Sequence, residues 1–252
     1  MSSPSNLPGK LCALTPSRIG IATKDGTTPT ESVLDFQRSY ALARDTIHIP
    51  LDAAAIARSV APLPSVLVRS QAPERGIYLR RPDLGRRLHS DCLTDLFKAR
   101  CDVVFVIADG LSSRAAERHA SAVLKATIEI LPHWSIGPVV IASQARVAIG
   151  DEIGVNLDAE FSVVLIGERP GLSVSDSLGV YITRKPALGR MDSERNCISN
   201  IHANGGLSYA AAAAKIAWLL EQARKIGQTG IGLKDEMVES ALTLGSVPQI
   251  KS

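Results

Sequence analysis

The strongest constraint on the fold is a set of uninterrupted apolar runs: Val103-Val104-Phe105-Val106-Ile107-Ala108, Val139-Val140-Ile141-Ala142 and Phe161-Ser162-Val163-Val164-Leu165-Ile166-Gly167. A strand that is apolar at nearly every position, rather than at alternate ones, has both faces buried. That is the situation of a parallel strand layered by helices. Helical spacing at Ala116, Ala120, Val123, Leu124, Thr127 and Ile130 predicts a helix over 113–130, stopped by Pro132. Ser208 is placed to cap an Ala-rich helix over 209–226 that ends at Gly227. Val180-Tyr181-Ile182 and Cys197-Ile198-Ser199 are further short strand candidates. The alternation predicts an α/β fold from about residue 100 to 230: an open, largely parallel, Rossmann-like sheet layered by helices.

The N-terminal third reads differently. Pro4, Pro8, Pro16 and several serines predict a loose tail over 1–15, and the run Lys24 to Pro29 is turn chemistry. Thr30 can cap a helix carrying Leu34, Phe36, Tyr40 and Ala41, and residues 52–60 form a second, capped by Asp52 and stopped by Pro62 and Pro64. The expected organisation is a flexible tail (1–15), a smaller, mainly helical region (16–99) and an α/β domain (100–252).

Composition removes several function classes. With 252 residues the chain sits near the upper limit for one core, and 45% hydrophobic content excludes a disordered polymer. Four Phe, two Trp and four Tyr are too few for a base-stacking surface, and a net charge of +3 is too small to imply nucleic acid. The apolar runs fall far short of the ~20 residues that span a bilayer. Met1 to Lys10 has no apolar signal region, and Cys12, Cys92, Cys101 and Cys197 have no C-x-x-C spacing. A reduced, cytosolic protein is therefore expected, with no nucleic acid and no membrane as partner. The five histidines show no metal-like clustering, so no metal site is assigned. Nineteen Arg against nine Lys suits interfaces and polar ligands, and suits codon bias equally.

In open α/β sheets ligands bind beyond the carboxyl ends of the strands. The turns there are Asp109-Gly110-Leu111-Ser112-Ser113-Arg114, Ser143-Gln144-Ala145-Arg146-Val147 and Gly167-Glu168-Arg169-Pro170-Gly171. Asp109 is read first as a helix-opening cap and second as a ligand carboxylate. Glu168, fixed by Pro170, is an acceptor-only group directly after a buried strand; the bland alternative is a surface pair with Arg169. Cys197 as a lone strand cysteine reads first as a small buried hydrophobe. Arg80, Arg81, Arg86 and Arg87 could clamp an anion or line a solvated turn. No nucleophile elbow, phosphate loop or dinucleotide fingerprint is present.

Leu79-Arg80-Arg81-Pro82-Asp83-Leu84-Gly85-Arg86-Arg87-Leu88 resembles the small (light) subunit of ethanolamine ammonia-lyase. So do Ala108-Asp109-Gly110-Leu111-Ser112, Gly167-Glu168-Arg169-Pro170-Gly171-Leu172, Ser175-Asp176-Ser177-Leu178 and Asn196-Cys197-Ile198-Ser199-Asn200-Ile201-His202, in family order and covering most of 76–226. The resemblance implies an adenosylcobalamin-dependent lyase converting ethanolamine to acetaldehyde and ammonia, with substrate chemistry on a large barrel-type subunit. The small subunit would complete the cobalamin site, in a higher-order hetero-oligomer. The family's cobalamin contacts fall on Val147, Glu168 and Cys197, with Cys197 a contact and not a cobalt ligand. The chain lacks Asp-x-His-x-x-Gly, so cobalamin is expected to keep its own benzimidazole on cobalt. A short N-terminus favours free cytosol over a bacterial microcompartment.

Overall fold

The computed structural model describes residues 26–237, together with Leu11 and Leu14. Most of the expected N-terminal tail, Cys12, and Lys24 and Asp25 of the expected turn lie outside the described residues.

Six strands form one sheet: β1 (Ser65–Arg69), β2 (Val103–Ala108), β3 (Val139–Ser143), β4 (Phe161–Gly167), β5 (Leu178–Arg184) and β6 (Asn196–Ile201), in the order β1-β3-β2-β4-β5-β6. β1, β3, β2 and β4 run parallel, while β5 and β6 add on as an antiparallel pair. All six residues of β2 and all seven of β4 are buried, as expected of apolar runs covered on both faces. β1 arises in the region that the sequence reads as mainly helical; it pairs with β3 alone and forms the sheet's edge.

Helix α1 (Thr30–Thr46) starts after Pro29, which occupies the cap position, so Thr30 is not the cap. Helix α2 (Ala53–Val60) starts as expected, with Asp52 accepting from the Ala55 amide at 2.8 Å. A short helix, α3 (Arg75–Arg80), leads into the Arg-rich turn. Residues 113–129 make helix α4, opened by Ser112, whose Oγ accepts from the Ala115 amide. A π-helical turn at Ala116–Ala120 interrupts it and carries the fully buried His119, whose Nδ1 lies 2.7 Å from the Tyr209 hydroxyl. Helix α5 (Ile149–Leu157) follows β3, and α6 (Tyr209–Ile226) is capped by Ser208 and ends on Gly227 at φ +85°.

The two faces of the sheet are covered unequally. On one, α2, α4 and α6 bury Phe105, Ile107, Leu165, Val180, Ile182 and Ile198. On the other, α5 (Ile149, Ile153, Leu157) and the 88–96 segment cover Val104, Val106, Val140 and Val164. Arg195, 6% exposed, extends that cover over the start of β6: its guanidinium bonds both Asp151 oxygens and the Thr183 hydroxyl at 2.7 Å each. Beyond it, Tyr181 is half-buried, and Cys197 and Ser199 are exposed. This stretch of β5 and β6 is the open part of the second face.

Candidate functional site

The chain leaves β2 towards one face of the sheet, through α4, and leaves the adjacent β3 towards the other, through α5. The crevice between those two carboxyl ends is where such sheets ordinarily bind ligands. Here its floor is filled by the chain itself, below a cavity of about 590 Å³ bounded by Leu79, Leu111, Arg146, Arg169 and helix α1. Asp109, 1% exposed, accepts from the Ala145 amide (2.8 Å), the Gln144 amide (2.9 Å) and Arg75 Nη1 (2.9 Å). Tyr78 from α3 is fully buried, with its hydroxyl 2.8 Å from the Gly110 carbonyl and 3.1 Å from that of Ala145. The guanidinium groups of Arg75 and Arg146 stack on its ring at 4.8 and 4.5 Å. Gly85 permits this packing, since a Cβ there would lie 2.8 Å from Tyr78 Cε2. Asp109 is thus neither helix cap nor ligand carboxylate but a tie between three segments, and Ser112 does the capping.

Most arginines of the 80–87 turn are also spoken for. Arg81 pairs with Asp83, Arg87 with Glu152, and Arg80 donates to the Gly76 carbonyl; Arg86 reaches Asp192 only at 3.6 Å.

The residues singled out for cofactor contact gather around the open stretch. Glu168 leaves the end of β4 and folds over Gly179 of β5. Its Oε2 accepts from the Ser177 hydroxyl at 2.6 Å and faces the Asn200 amide at 3.4 Å. A Cβ on Gly179 would lie 2.9 Å from its Oε1, so the glycine is the seat of the carboxylate. Oε1 accepts no hydrogen bond among the described residues. The bland alternative, a pair with Arg169, does not form among them.

Cys197 is exposed and not the buried strand cysteine of the bland reading. It also stands away from the carboxyl rim, at mid-sheet: the register Val164↔Tyr181↔Cys197 puts it beside Tyr181 on the open face. The Tyr181 hydroxyl stands near enough to the Cys197 sulfur to favour its thiolate form. Desolvation of that sulfur, reinforced by the nearby Glu168 charge, pushes the thiol pKa up against the opposing influence of the Tyr181 hydroxyl. Desolvation likewise raises Tyr181, so the pair is neutral at ordinary pH.

Val147 and Tyr181 line one cavity of about 370 Å³, together with Pro82, Arg86, Arg146 and Asp192. Tyr181 therefore joins Val147 on one side to Cys197 and Glu168 on the other. It had no signal beyond strand propensity, because its place depends on the pairing of β4, β5 and β6. Ser177 lies in the motif Ser175-Asp176-Ser177-Leu178, but its bond to Glu168 is a tertiary fact.

The family model for "Ethanolamine ammonia-lyase light chain (EutC)" matches residues 6–234. The chain belongs to the ethanolamine ammonia-lyase light-chain family. It is 44% identical over 250 residues to the ethanolamine ammonia-lyase small subunit of Xanthomonas campestris pv. campestris (strain B100), covering 94% of this chain and 92% of that one. The corresponding protein of Rhodococcus erythropolis is 43% identical over 246 residues (95% and 94%), and that of Azotobacter vinelandii 45% over 237 (90% and 87%). Membership makes the chain a component of a lyase, and the described light-chain architecture is the α/β sheet expected from the apolar runs. Among the described residues no helix is long and apolar enough to cross a membrane, and no group of three or more His, Cys, Asp and Glu stands together as a metal site.

Proposed function

We propose that this chain is the small subunit of an adenosylcobalamin-dependent ethanolamine ammonia-lyase and completes the cobalamin site against a large, barrel-type subunit in a hetero-oligomer. The observation that carries the reading is the open stretch of β5 and β6, with the free oxygen of Glu168 at its edge. A corrin is a broad ring fringed by amide side chains. The stretch offers it a shallow surface with no bulky aliphatic side chain, formed by Tyr181, Cys197 and Ser199 beside the Glu168 carboxylate seated on the buried Gly179. Glu168 Oε1 is an acceptor for a fringe N–H. Val147 supplies an apolar flank through the shared cavity. The residues present fit the group.

When bound, the cofactor supplies radical chemistry through its cobalt–carbon bond. The residues of this chain bind and orient. Glu168 holds one fringe amide, Cys197 presents a neutral thiol against the ring, and Tyr181 spans the two. The partner supplies the other wall and the substrate site. Cytosol is the expected compartment, with a microcompartment the alternative.

The test is equilibrium binding of cyanocobalamin to the apo complex of both subunits. Glu168→Gln weakens a charge-assisted hydrogen bond and should reduce affinity about tenfold or more. Cys197→Trp should obstruct the face. Unchanged affinity in both variants, with altered association of the subunits, would instead mark the face as a protein-only docking surface.

A further inference from the structure

We infer that Arg146 and Arg86 form an anion subsite for the phosphodiester of cobalamin's nucleotide loop. The inference rests on the cofactor reading above and adds to it a charged anchor beside the corrin face. Both arginines line the cavity of about 370 Å³ whose apolar side is Val147 and Tyr181, so a ligand spread over the Tyr181–Cys197 face has this cavity at its margin.

Arg146 is held but not satisfied. Its backbone amide donates to the Gly85 carbonyl at 2.8 Å, and its guanidinium stacks on Tyr78 at 4.5 Å. Among the described residues, however, that guanidinium makes no ion pair and no hydrogen bond, and its Nε is buried without a partner. A fixed guanidinium with unused donors is unusual, because a buried donor left unmade costs free energy. Arg86 is half-exposed and restrained only by Asp192 at 3.6 Å. Asp192 is the one carboxylate lining this cavity. It has a second partner in Arg195 at 3.5 Å, so Arg86 can turn to a ligand without stranding it.

The chemistry selects the ligand group. The fringe of cobalamin is neutral amide except for one phosphodiester, in the loop that carries the benzimidazole. A planar guanidinium matches two phosphate oxygens in parallel, where an amide oxygen offers one acceptor. Two arginines with spare donors beside an apolar face therefore read the nucleotide loop, while Glu168 reads the amides.

The experiment compares cyanocobalamin with dicyanocobinamide, which keeps the corrin and its amides but lacks the phosphodiester and the nucleotide. Binding to the apo complex of both subunits is followed by equilibrium filtration and absorbance. Arg146→Met keeps an extended apolar stem against Tyr78, and Arg86→Met alters a half-exposed side chain, so neither relies on a disrupted core. Each should bind cyanocobalamin about 10- to 100-fold more weakly and dicyanocobinamide within about threefold of wild type. Equal loss for both ligands, or loss of neither, overturns the phosphodiester subsite; equal loss with weakened subunit association assigns the arginines to carboxylates of the partner. If the wild-type complex binds neither ligand, the cofactor reading fails, and the subsite with it.

Discussion

Gly179→Ala tests whether the position of Glu168, and not its presence alone, makes the site. The added Cβ would stand 2.9 Å from Glu168 Oε1, 3.2 Å from its Cγ and 3.5 Å from its Cδ. The first separation is closer than a methyl group tolerates and the second is tight, so the carboxylate must move. It sits at the end of a flexible side chain and can do so without disturbing the sheet. Moving it breaks the 2.6 Å bond from Ser177, which is 9% exposed, and the 3.4 Å approach of the Asn200 amide. An unsatisfied buried hydroxyl costs about 1–3 kcal/mol, and the reduced freedom of alanine in the unfolded chain returns about 0.4–1 kcal/mol. Stability should therefore fall by only about 1 kcal/mol, seen as a small change in denaturation midpoint. Cobalamin affinity of the assembled apo complex should fall about tenfold or more, since a misplaced carboxylate is nearly as poor an acceptor as a missing one. The double variant Glu168→Gln/Gly179→Ala should bind no worse than Glu168→Gln, because both changes act through one carboxylate. Full affinity in Gly179→Ala, or additive losses in the double variant, would refute the assignment of Glu168 as an acceptor seated by Gly179.

Two further outcomes follow from the same geometry. The Cys197 thiol is raised by desolvation and by the Glu168 charge, so Glu168→Gln should lower its pKa and populate more thiolate at a given pH. Alkylation of Cys197 by iodoacetamide, followed by peptide mass spectrometry from pH 7 to 10, should then shift towards lower pH; a shift towards higher pH would contradict the placement of the charge. Asp109→Asn leaves Arg75, whose side chain is 10% exposed, without its counter-charge in the floor of the crevice. Breaking such a buried pair should cost about 3–5 kcal/mol by chemical denaturation, against less than about 1 kcal/mol if the pair were solvated.

What the sequence made legible depended on how local the cause was. The β2, β3 and β4 runs announce themselves because double-sided burial demands apolar residues at successive positions. α6 is equally plain, since Ser208 and Gly227 mark its ends by their own conformations. β1 gives no comparable sign: Ser65-Val66-Leu67-Val68-Arg69 buries only Val68 fully, and its strand character comes from pairing with β3, more than 70 residues away. Asp109 misleads for a related reason. Aspartate before a helix suggests a cap, and only the approach of the 144–145 amides and Arg75 reveals the tie. Glu168 and Cys197 could be named from motifs, but nothing local could show that Tyr181 stands between Cys197 and the Val147 cavity.

The filled floor of the crevice and the open sheet face explain one another. An open α/β sheet that left its β2–β3 crevice empty would invite nucleotides and other small anions, and this sequence shows none of the glycine signatures that exploit it. Tyr78, Arg75 and Asp109 tie the floor of the crevice together, Arg75 to Asp109 and Tyr78 to the Gly110 and Ala145 carbonyls, and the Tyr78 ring holds Arg146 where it borders the Val147 cavity. The rigid edge in turn presents Glu168 beyond β4 at a set height above Gly179. On the neighbouring strands, small or polar residues stand where a self-sufficient sheet would place aliphatic side chains beneath a covering helix. Such a face is poorly suited to cover by a helix of its own chain and well suited to a flat, amide-fringed ring. On the proposed reading, that asymmetry is why a chain with so extensive a hydrophobic core would still present only half of a site.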